Sequence, residues 1–271
     1  MQTDMTNQKL LSILLGQQGE GSLKYFRKPQ QPDPAHIDNS DAFKFLSSLR
    51  TFSQLSEQEL EMLADASRFT NVTPGEYVSL EGDDFNPNGF IVISGRMALT
   101  KTSINGKDLV VELMAPGDIF GLLLLLPLEE LKNQLSARAQ IKSKLLWLPV
   151  KLLVSILDRH PTLYRDFIAH LIHCLQSSYR IARGLAHDRV EVRIASILLN
   201  LGLKFARSNP SAKDNTIDIT RQQLADLTGT TPETAIRITR TMQSDGLIDI
   251  KKPGVILLLD CEALQVIAEE E

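Results

Sequence analysis

Two side chains near the C-terminal end of the chain have the types and the spacing needed to recognise DNA bases. Glu233 and Arg237 are four residues apart, and the capping residue Thr231 followed by Pro232 predicts that a helix begins just before them. At roughly 100° per residue they share the outer face of that helix with Arg240. The inward face consists of Ala235, Ile238 and Met242. Because a carboxylate accepts a hydrogen bond from cytosine and a guanidinium donates two to guanine, this face predicts base recognition in a major groove.

The same spacing also fits an ordinary surface salt bridge, which stabilises a helix by about 0.3 kcal/mol. The surrounding sequence favours DNA recognition. Thr220 and Gln223 form a capping box that opens an earlier helix, and Gly229 ends it. Two short helices joined by a tight glycine turn are typical of a helix-turn-helix. Residues 247–250 and 255–259 then predict a hairpin around Lys251, Lys252, Pro253 and Gly254, which would form a wing.

A recognition helix needs hydrogen-bond donors around it that hold the DNA phosphates and fix its position in the groove. The candidate phosphate-binding residues lie at the ends of the two helices and in the wing: Thr220, Arg221, Gln222, Thr230, Thr234, Lys251 and Lys252. Each of them has the alternative of being an ordinary solvated side chain. The net charge of −4 argues against a protein that coats nucleic acid nonspecifically, but it leaves room for a small basic surface on one domain.

A long helix is predicted from Pro161 to about Ala186, since no helix-breaking residue interrupts this stretch. Apolar and small residues recur along it at alternating steps of four and three: Phe167, Leu171, Cys174, Ser178, Ile181 and Leu185. This spacing is typical of the seam of a two-stranded coiled coil and predicts a parallel dimer. The alternative is a core helix of a single domain. A second stripe, Ile168, Ile172 and Leu175, would let one stripe pack on the rest of the subunit while the other meets a partner.

The region from Phe69 to Pro149 alternates short runs of β-type residues with regularly spaced glycines, which predicts a small antiparallel sandwich or roll. Before it, Ser56 followed by Glu59 predicts the start of a helix. Residues 1–40 hold an apolar run and then a proline-containing polar stretch, a composition typical of a linker. The apolar run 122–126 predicts a short buried helix inside the β region.

The composition excludes several classes of protein. The chain has 271 residues and two cysteines, Cys174 and Cys261, which are far apart and outside any CxxC motif. Neither a disulfide framework nor a metal site of cysteine ligands is therefore expected. The early apolar run 10–15 has six residues, too few to cross a membrane, and it lacks the flanks of a signal peptide. We expect a cytoplasmic protein with no membrane partner.

Several motifs together carry a family resemblance: PGEYVSLEGD at 74–83, FIVISGRMAL at 90–99, LMAPGDIFG at 113–121, the helical stretch 160–201 and the segment 220–259. With these motifs the chain resembles the cyclic-AMP receptor and fumarate-nitrate reduction regulator (Crp/Fnr) family over roughly residues 43–260. The resemblance implies an α+β protein with an N-terminal cyclic-nucleotide-binding-like β-roll (a double-stranded β-helix or jelly roll), a long dimerisation helix and a C-terminal winged helix-turn-helix. The implied segments are an N-terminal extension (1–42), a sensor domain (43–159), the dimerisation helix (160–187) and the DNA-binding domain (188–271).

For DNA, the resemblance implies a homodimer that places one recognition helix in each of two successive major grooves of double-stranded DNA. Glu233 and Arg237 match the pair that the family uses to read the G·C pairs of a TGA-containing half-site. Pro232 stands where the cyclic-AMP receptor has an additional arginine, and Ile236 stands where the oxygen-sensing relatives have a serine. The resemblance therefore does not imply which outer bases of the DNA site are recognised. RNA polymerase is a further candidate partner.

For the effector, the resemblance implies a pocket at the phosphate cassette of the β-roll. The candidate pocket residues are Gly117, Asp118, Gly121, Leu135, Ser136 and Ala137, together with Ser178 of the dimerisation helix, whose alternative is a small residue in the seam. Leu135 stands where cyclic-nucleotide binders have the arginine that clamps the phosphate. A buried phosphate without that counter-charge is costly, which argues against ordinary cyclic-nucleotide binding unless Arg138 or Lys132 reaches into the site.

The identity of a cofactor stays open at this point. The leucines at 122–126 and Leu128 are compatible with an apolar pocket that holds haem, another apolar small molecule or nothing. The candidate haem ligands are His160, His170, His173 and His187, and each has the alternative of a solvated helix histidine. An iron-sulfur cluster has no support, because the N-terminal cysteine set of the oxygen-sensing relatives is absent.

The function that follows is a homodimeric, sequence-specific transcription regulator whose DNA binding responds to a signal at the β-roll. The alternative is a cyclic-nucleotide- or haem-binding sensor that acts through a protein partner, with the winged domain as a protein-interaction surface. No enzyme is expected, because no catalytic triad, metal triad or phosphate loop with usable spacing occurs in the sequence.

Overall fold

The computed structural model describes residues 39–83, 88–102, 108–121, 132–208 and 215–270. Predictions for residues 1–38 and for the apolar run 122–126 lie outside the described residues. Helix α1 (Asn39–Ser48), a 3₁₀ turn (Arg50–Phe52) and helix α2 (Glu57–Ala66) come first. The predicted capping box opens α2: the Ser56 amide donates to Glu59 Oε2 at 3.1 Å, and the Glu59 amide donates to Ser56 Oγ at 3.3 Å.

The sensor domain is a roll of two four-stranded sheets in which every strand pairing is antiparallel. Its strands are β1 (Arg68–Val72), β2 (Tyr77–Ser79), β3 (Asn88–Ser94), β4 (Met97–Thr102), β5 (Asp108–Met114), β6 (Ile119–Phe120), β7 (Ser136–Ala139) and β8 (Ser143–Pro149). The first sheet has the order β1-β8-β3-β6 and the second has the order β2-β7-β4-β5. Between them lies a core that includes Phe90, Met97, Met114, Phe120 and Leu145. The predicted α+β roll is confirmed.

A glycine fixes the turn that joins the two sheets. Gly95 lies between β3 and β4 with φ of 94°, a conformation that side chains rarely adopt. A Cβ atom there would also lie 2.6 Å from the Lys142 carbonyl oxygen. The Ser143 hydroxyl accepts from the Arg96 amide at 3.0 Å and donates to the Arg96 carbonyl at 3.2 Å. The β3–β4 turn is therefore held tightly against the start of β8.

Helices cover the outer face of the first sheet. Helix α3 (Val150–Leu157) leads into the long helix α4 (Pro161–His187), and both pack with α1 and α2 on β3 and β8. Phe167, predicted at the dimer seam, is 5% exposed and belongs to this core, so it is unavailable to a partner. A heptad pattern cannot distinguish a dimer-seam residue from a residue of the subunit core at this point, because the first turns of α4 still lie over the sensor domain.

The DNA-binding domain follows α4. Its elements are α5 (Val190–Ser208), β9 (Thr216–Asp218), α6 (Arg221–Thr228), α7 (Pro232–Ser244), β10 (Ile248–Lys252), β11 (Val255–Leu258) and α8 (Cys261–Ala268). The strands form one sheet of order β10-β11-β9. The core of this domain includes Ile194, Leu224, Ile238 and Met242, and it continues into Ala98, Val110 and Leu113 of the sensor's second sheet. The molecule is thus layered: helices, first sheet, second sheet and winged domain.

No helix within the described ranges is both long enough and apolar enough to cross a lipid bilayer.

Candidate DNA-binding surface and effector site

The first helix of the helix-turn-helix, α6, is defined at both ends by the residues that the sequence indicated. The Thr220 amide donates to Gln223 Oε1 at 2.8 Å, and the Gln223 amide donates to the Thr220 hydroxyl at 3.2 Å. At the other end Gly229 adopts φ of 60°, and a Cβ atom there would collide with the Leu185 side chain of α4. Only glycine combines this backbone conformation with the close approach of α4.

The second helix, α7, turns one face inward and the other to solvent. Thr231 caps it by accepting from the Thr234 amide at 3.3 Å, and Pro232 occupies the first helical position. The buried residues are Ala235, Ile238, Thr239 and Met242. Thr239 was absent from the predicted inward face. It is accommodated there because its hydroxyl donates to the Ala235 carbonyl oxygen at 2.8 Å.

The outward face of α7 presents Glu233, Arg237 and Arg240, and all three are exposed. Within the described residues, Glu233 and Arg237 form no ion pair with each other or with a neighbour. The pKa of Glu233 is lowered because its own backbone amide and then the Thr231 hydroxyl hydrogen-bond the carboxylate, which outweighs a small opposing effect of desolvation. At neutral pH the face therefore offers an ionised acceptor beside two guanidinium donors.

The wing differs in two respects from its prediction. Strand β10 extends through Lys252, which pairs with Val255 across the two-residue turn Pro253–Gly254. The predicted turn had included both lysines, but they lie at the end of the strand and are exposed. The Pro253–Gly254 dipeptide is the sequence feature that indicates this shorter turn, because a type II turn needs a positive φ at its third residue and Gly254 adopts φ of 84°. Strand β9, which completes the wing sheet, was also missed.

The candidate phosphate-binding residues divide into two groups. Thr220, Gln222, Lys251 and Lys252 are exposed, whereas Arg221, Thr230 and Thr234 are half-buried. Thr234 takes part in the cap of α7. For Arg221, the Nε atom is buried, and no hydrogen-bond partner reaches it from any described residue. The basic side chain at the N-terminus of α6 is thus partly covered, whereas the wing lysines project freely.

The residues expected at the effector site do not all face the interior of the roll. Ala137 and Ser136 are buried, and the Ser136 hydroxyl accepts from the Glu81 amide at 2.9 Å. Gly117 closes the turn before β6 with φ of 90°, and Gly121 follows β6 with φ of 79°. In that turn Asp118 points toward the DNA-binding domain: its Oδ2 atom accepts from the Ala115 amide and from Lys204 Nζ, both at 2.8 Å. No spacing or motif in the sequence indicates this contact between Asp118 and Lys204.

Neither of the two described basic residues considered for the role, Arg138 and Lys132, takes the place of the missing phosphate-clamping arginine. Leu135 is half-buried, and Arg138 and Lys132 are exposed. Arg138 lies on the outer face of its sheet, where Nε donates to the Gly75 carbonyl oxygen at 3.3 Å and the guanidinium lies 5.6 Å from the centre of the Tyr77 ring. Ser178 is half-buried on α4. The cassette residues 122–131 lie outside the described residues.

In the part of the chain that the structure describes, no group of three or more His, Cys, Asp or Glu side chains is placed so that it could hold a metal ion. His160 is engaged elsewhere: its Nε2 atom lies 3.0 Å from both carboxylate oxygens of Glu59. His187 is exposed in the last turn of α4. The side chains of His170 and His173 lie outside the described set.

A cleft of about 340 Å³ separates α6 from the outer face of the sensor's second sheet. Its lining includes Thr100, Asp108 and Arg138 from the sensor and Thr220, Gln222 and Asp226 from the DNA-binding domain. Burial raises the pKa of the Asp226 carboxyl, the hydrogen bond from Gln222 opposes this, and the negative charge of Asp108 raises the pKa while the positive charge of Arg138 lowers it. The sensor thus brings one acidic and one basic side chain close to a helix that is expected to meet phosphates.

Comparison with known protein families matches both halves of the chain. Residues 69–160 match the cyclic nucleotide-binding domain, and residues 192–267 match the Crp-like helix-turn-helix domain. The two matched segments correspond to the roll with α3 and to the winged domain.

Individual proteins give the same result. The chain is 24% identical over 205 residues to electron transport regulator A of Shewanella oneidensis, covering 75% of this chain and 80% of that protein. It is 24% identical over 217 residues to the cyclic AMP receptor protein of Thermus thermophilus, covering 80% and 95%. Among solved structures, FixK2 from Bradyrhizobium japonicum is similar with a TM-score of 0.65 and 19% identity, covering 76% of this chain and 98% of FixK2.

Proposed function

Because the chain belongs to the Crp/Fnr family of DNA-binding transcription regulators, we propose that it acts as a homodimer that reads a two-fold symmetric site through Glu233 and Arg237. The observation that carries this proposal is the outward face of α7, where both side chains are exposed and no described neighbour engages them in an ion pair. Glu233 would accept from a cytosine amino group and Arg237 would donate twice to a guanine of a TGA-containing half-site. Arg240 would reach the next position along the groove.

Phosphate contacts would flank this face on both sides. Lys251 and Lys252 would hold the backbone from the wing, and Thr230 and Thr234 would do so from the turn. Thr220, Arg221 and Gln222 would contribute from the N-terminus of α6, where backbone amides also favour an anion. The exposure of both wing lysines supports the first of these contacts.

The dimer would form along α4. Beyond Phe167 the helix carries a solvent-exposed apolar stripe: Ile168, Leu171, Ile172, Leu175 and Tyr179. Each of these side chains is at least half exposed, and Tyr179 reaches 66%. A stripe of this size on a 27-residue helix is typical of a surface that a second copy covers. Leu185 is 39% exposed and continues the stripe toward α6, while the side chains of Cys174 and Ile181 lie outside the described set.

Control by the sensor would depend on an effector other than an ordinary cyclic nucleotide. The core between the two sheets is apolar, Leu135 carries no charge, and Arg138 is directed away from that core. An apolar small molecule fits this environment better than a phosphodiester does. Binding would shift the population toward dimers whose two recognition helices match the groove spacing.

The remaining parts of the proposal follow from the regulator role. The protein would contact RNA polymerase at its promoters, and it would act in the cytoplasm, where bacterial chromosomal DNA is located. Proteins of this family regulate transcription and are not enzymes, so we assign no catalytic residue.

Substitution of Arg237 by alanine tests base recognition. The probe is a duplex selected from a random-sequence pool by the wild-type protein, together with variants of each half-site base. We expect a loss of about 1–3 kcal/mol of discrimination at one base pair, with the slope of affinity against salt nearly unchanged. A uniform loss across all sequences would make Arg237 a phosphate contact. Weak, sequence-independent binding by the wild type would favour the alternative in which the winged domain binds a protein.

A further inference from the structure

The winged domain lies directly on the sensor of its own chain. Ala98, Val110 and Leu113, on the second sheet of the sensor, are buried in the same core as Ile217 and Leu224 of the winged domain. Dispersion and apolar burial hold such a contact together without giving it a unique register, so its specificity must come from polar groups. Two basic side chains supply that specificity.

Lys204 of α5 inserts its ammonium group among acceptors of the sensor. Its Nζ atom lies 2.8 Å from Asp118 Oδ2 and 3.4 Å from Glu112 Oε1, and it donates to the Leu113 carbonyl oxygen. All three charged side chains are only about a quarter exposed or less. A partly buried ammonium with two carboxylates and a carbonyl is a strong contact, since hydrogen bonds between ionised partners are about twice as strong as neutral ones.

Arg96 makes the second contact, from the opposite domain. It follows Gly95 in the β3–β4 turn, is 5% exposed, and donates through Nη1 to the Asp218 carbonyl oxygen of β9. This interdomain hydrogen bond uses one donor of a guanidinium whose charge is costly to bury, so the contact fixes the relative position of the two domains rather than adding net stability. Gln223 adds a contact between amides by donating to Gln140 of the sensor.

The docked arrangement covers part of the N-terminus of α6. Asp108 and Arg138 of the sensor line the same cleft as Thr220, Gln222 and Asp226, so their opposite charges offset and the main effect of the sensor there is to occupy space. Arg221 is half-buried there, and no described residue satisfies its Nε atom. A half-buried donor is less available to the DNA backbone than an exposed one.

We propose that the contact of Lys204 with Asp118 and Glu112 is an autoinhibitory latch that holds the winged domain on its own sensor in a state of low DNA affinity. Asp118 belongs to the Gly117–Gly121 motif, at which the family resemblance puts the effector site. Movement of that turn on effector binding would withdraw the carboxylate from Lys204 and release α6. The inference rests on the proposed function, because it assumes that the sensor controls DNA binding.

The test measures DNA affinity of the effector-free, full-length protein with the selected duplex. Lys204→Met removes the latch and one positive charge, so simple charge loss predicts weaker binding to DNA whereas release of the latch predicts tighter binding. We expect the affinity to rise about tenfold, the change that corresponds to losing one charge-assisted hydrogen-bonded contact. Lys151→Met, at an exposed lysine of α3, is the matched control and should leave affinity unchanged.

A double-mutant cycle and a DNA-free measurement complete the experiment. Asp118→Asn keeps an acceptor for the Ala115 amide, and combined with Glu112→Gln it should raise affinity as Lys204→Met does, with no further gain in the triple variant. Without DNA, amide hydrogens of β9 and β5 should exchange faster in the latch variants than in Lys151→Met. If Lys204→Met does not fold, hydrogen exchange of the Asp118→Asn and Glu112→Gln variant decides, because removing two negative charges would tighten DNA binding with or without a latch.

Two results would overturn the latch. If wild type binds the duplex and Lys204→Met weakens or does not change binding, the contact is structural and the proposed function stands. If hydrogen exchange of β9 and β5 is the same in every variant, the contact does not hold the domains together. Absence of DNA binding by the wild type and all variants would instead overturn the proposed function, and the inhibitory role with it.

Discussion

The two helices of the helix-turn-helix differ in what covers them. Helix α7 presents Glu233, Arg237 and Arg240 to solvent, whereas the N-terminus of α6 faces a cleft of about 340 Å³ that the sensor borders on the other side. Base contacts carry sequence information and phosphate contacts carry much of the affinity. On the proposed function, the base-reading side chains are therefore exposed in this conformation while some of the proposed phosphate contacts are partly covered. A change in the contact between the two domains would then alter how tightly the protein binds DNA and leave its target sequence unchanged.

The largest expected effect comes from breaking the dimer that must present both α7 helices together. Leu175→Glu introduces a charge into the exposed stripe of α4, so the protein should sediment as a monomer. DNA affinity should fall on the order of 100-fold, because the second recognition helix no longer binds as part of the same molecule. Gln176→Glu, at an exposed neighbour, is the control for the added charge. A monomer that binds as tightly as wild type would remove the two-fold symmetric site from the proposal.

The two glycines that follow α6 and α7 allow the covered and open helices to be compared directly. Gly229 has φ of 60° and a Cβ atom would collide with Leu185, whereas Gly246 has φ of 76° with nothing within 4 Å. Gly246→Ala should cost about 1–2 kcal/mol of unfolding free energy from backbone strain alone. Gly229→Ala should cost about 0.5 kcal/mol more, since the end of the partly exposed Leu185 side chain must rotate to make room. Urea denaturation measures both, and Leu185→Ala should relieve only the Gly229 variant.

A pH-dependent contact anchors the sensor end of α4. Desolvation raises the pKa of Glu59, but the hydrogen bond from His160, those from Ser56 and the charge of His160 outweigh it and lower the pKa to about 2. A carboxylate with a lowered folded pKa contributes stability above its unfolded value near 4.5, and this contribution is lost as pH falls toward 2.

Glu59→Gln should therefore lower the unfolding free energy at pH 6 by about 1 kcal/mol, allowing for solvent screening, and by much less near pH 2. Glu57→Gln, in the same first turn and exposed, should have little effect at either pH. Equal losses for Glu59→Gln at both pH values would show that the ionised carboxylate is not what stabilises this junction.

The smallest expected effect compares a wing lysine with the covered arginine. Lys252→Ala should weaken binding evenly across sequences and reduce the slope of log affinity against log salt by about 1. Arg221→Ala should leave that slope nearly unchanged in the effector-free protein, because its side chain is half-buried beside the sensor. In a Lys204→Met background Arg221→Ala should reduce the slope as well. Equal slope changes for Lys252 and Arg221 in the latched protein would show that α6 is not covered.

Local signals in the sequence predicted most of the DNA-binding domain. Capping boxes, Gly229 and the periodicity of α7 specify those elements through interactions within a few residues, and the structure has them where expected. Phe167 shows where the pattern fails, since a heptad cannot tell a seam residue from one that packs on the same subunit. Strand β9 was missed because three residues give too short an alternation.

Contacts between distant segments were not predictable from the sequence. Lys204 and Asp118 are far apart in the chain, and neither spacing nor residue type marks them as partners. Asp118 was assigned to the effector site through the family resemblance, and its carboxylate turns toward α5 because Gly117 sets the direction of that turn. The base-recognition and phosphate roles remain proposals, whereas the family, the α+β roll and the winged fold are confirmed.

The shared core beneath the winged domain limits how freely its parts can be exchanged. Ala98, Val110 and Leu113 belong to the sensor by sequence but lie in the folding unit of the DNA-binding domain. Heating should therefore melt both halves in a single calorimetric peak. A chimera that joins this winged domain to an unrelated sensor would have to carry apolar residues of similar size at those three positions, so the winged domain cannot be exchanged without part of the sensor surface.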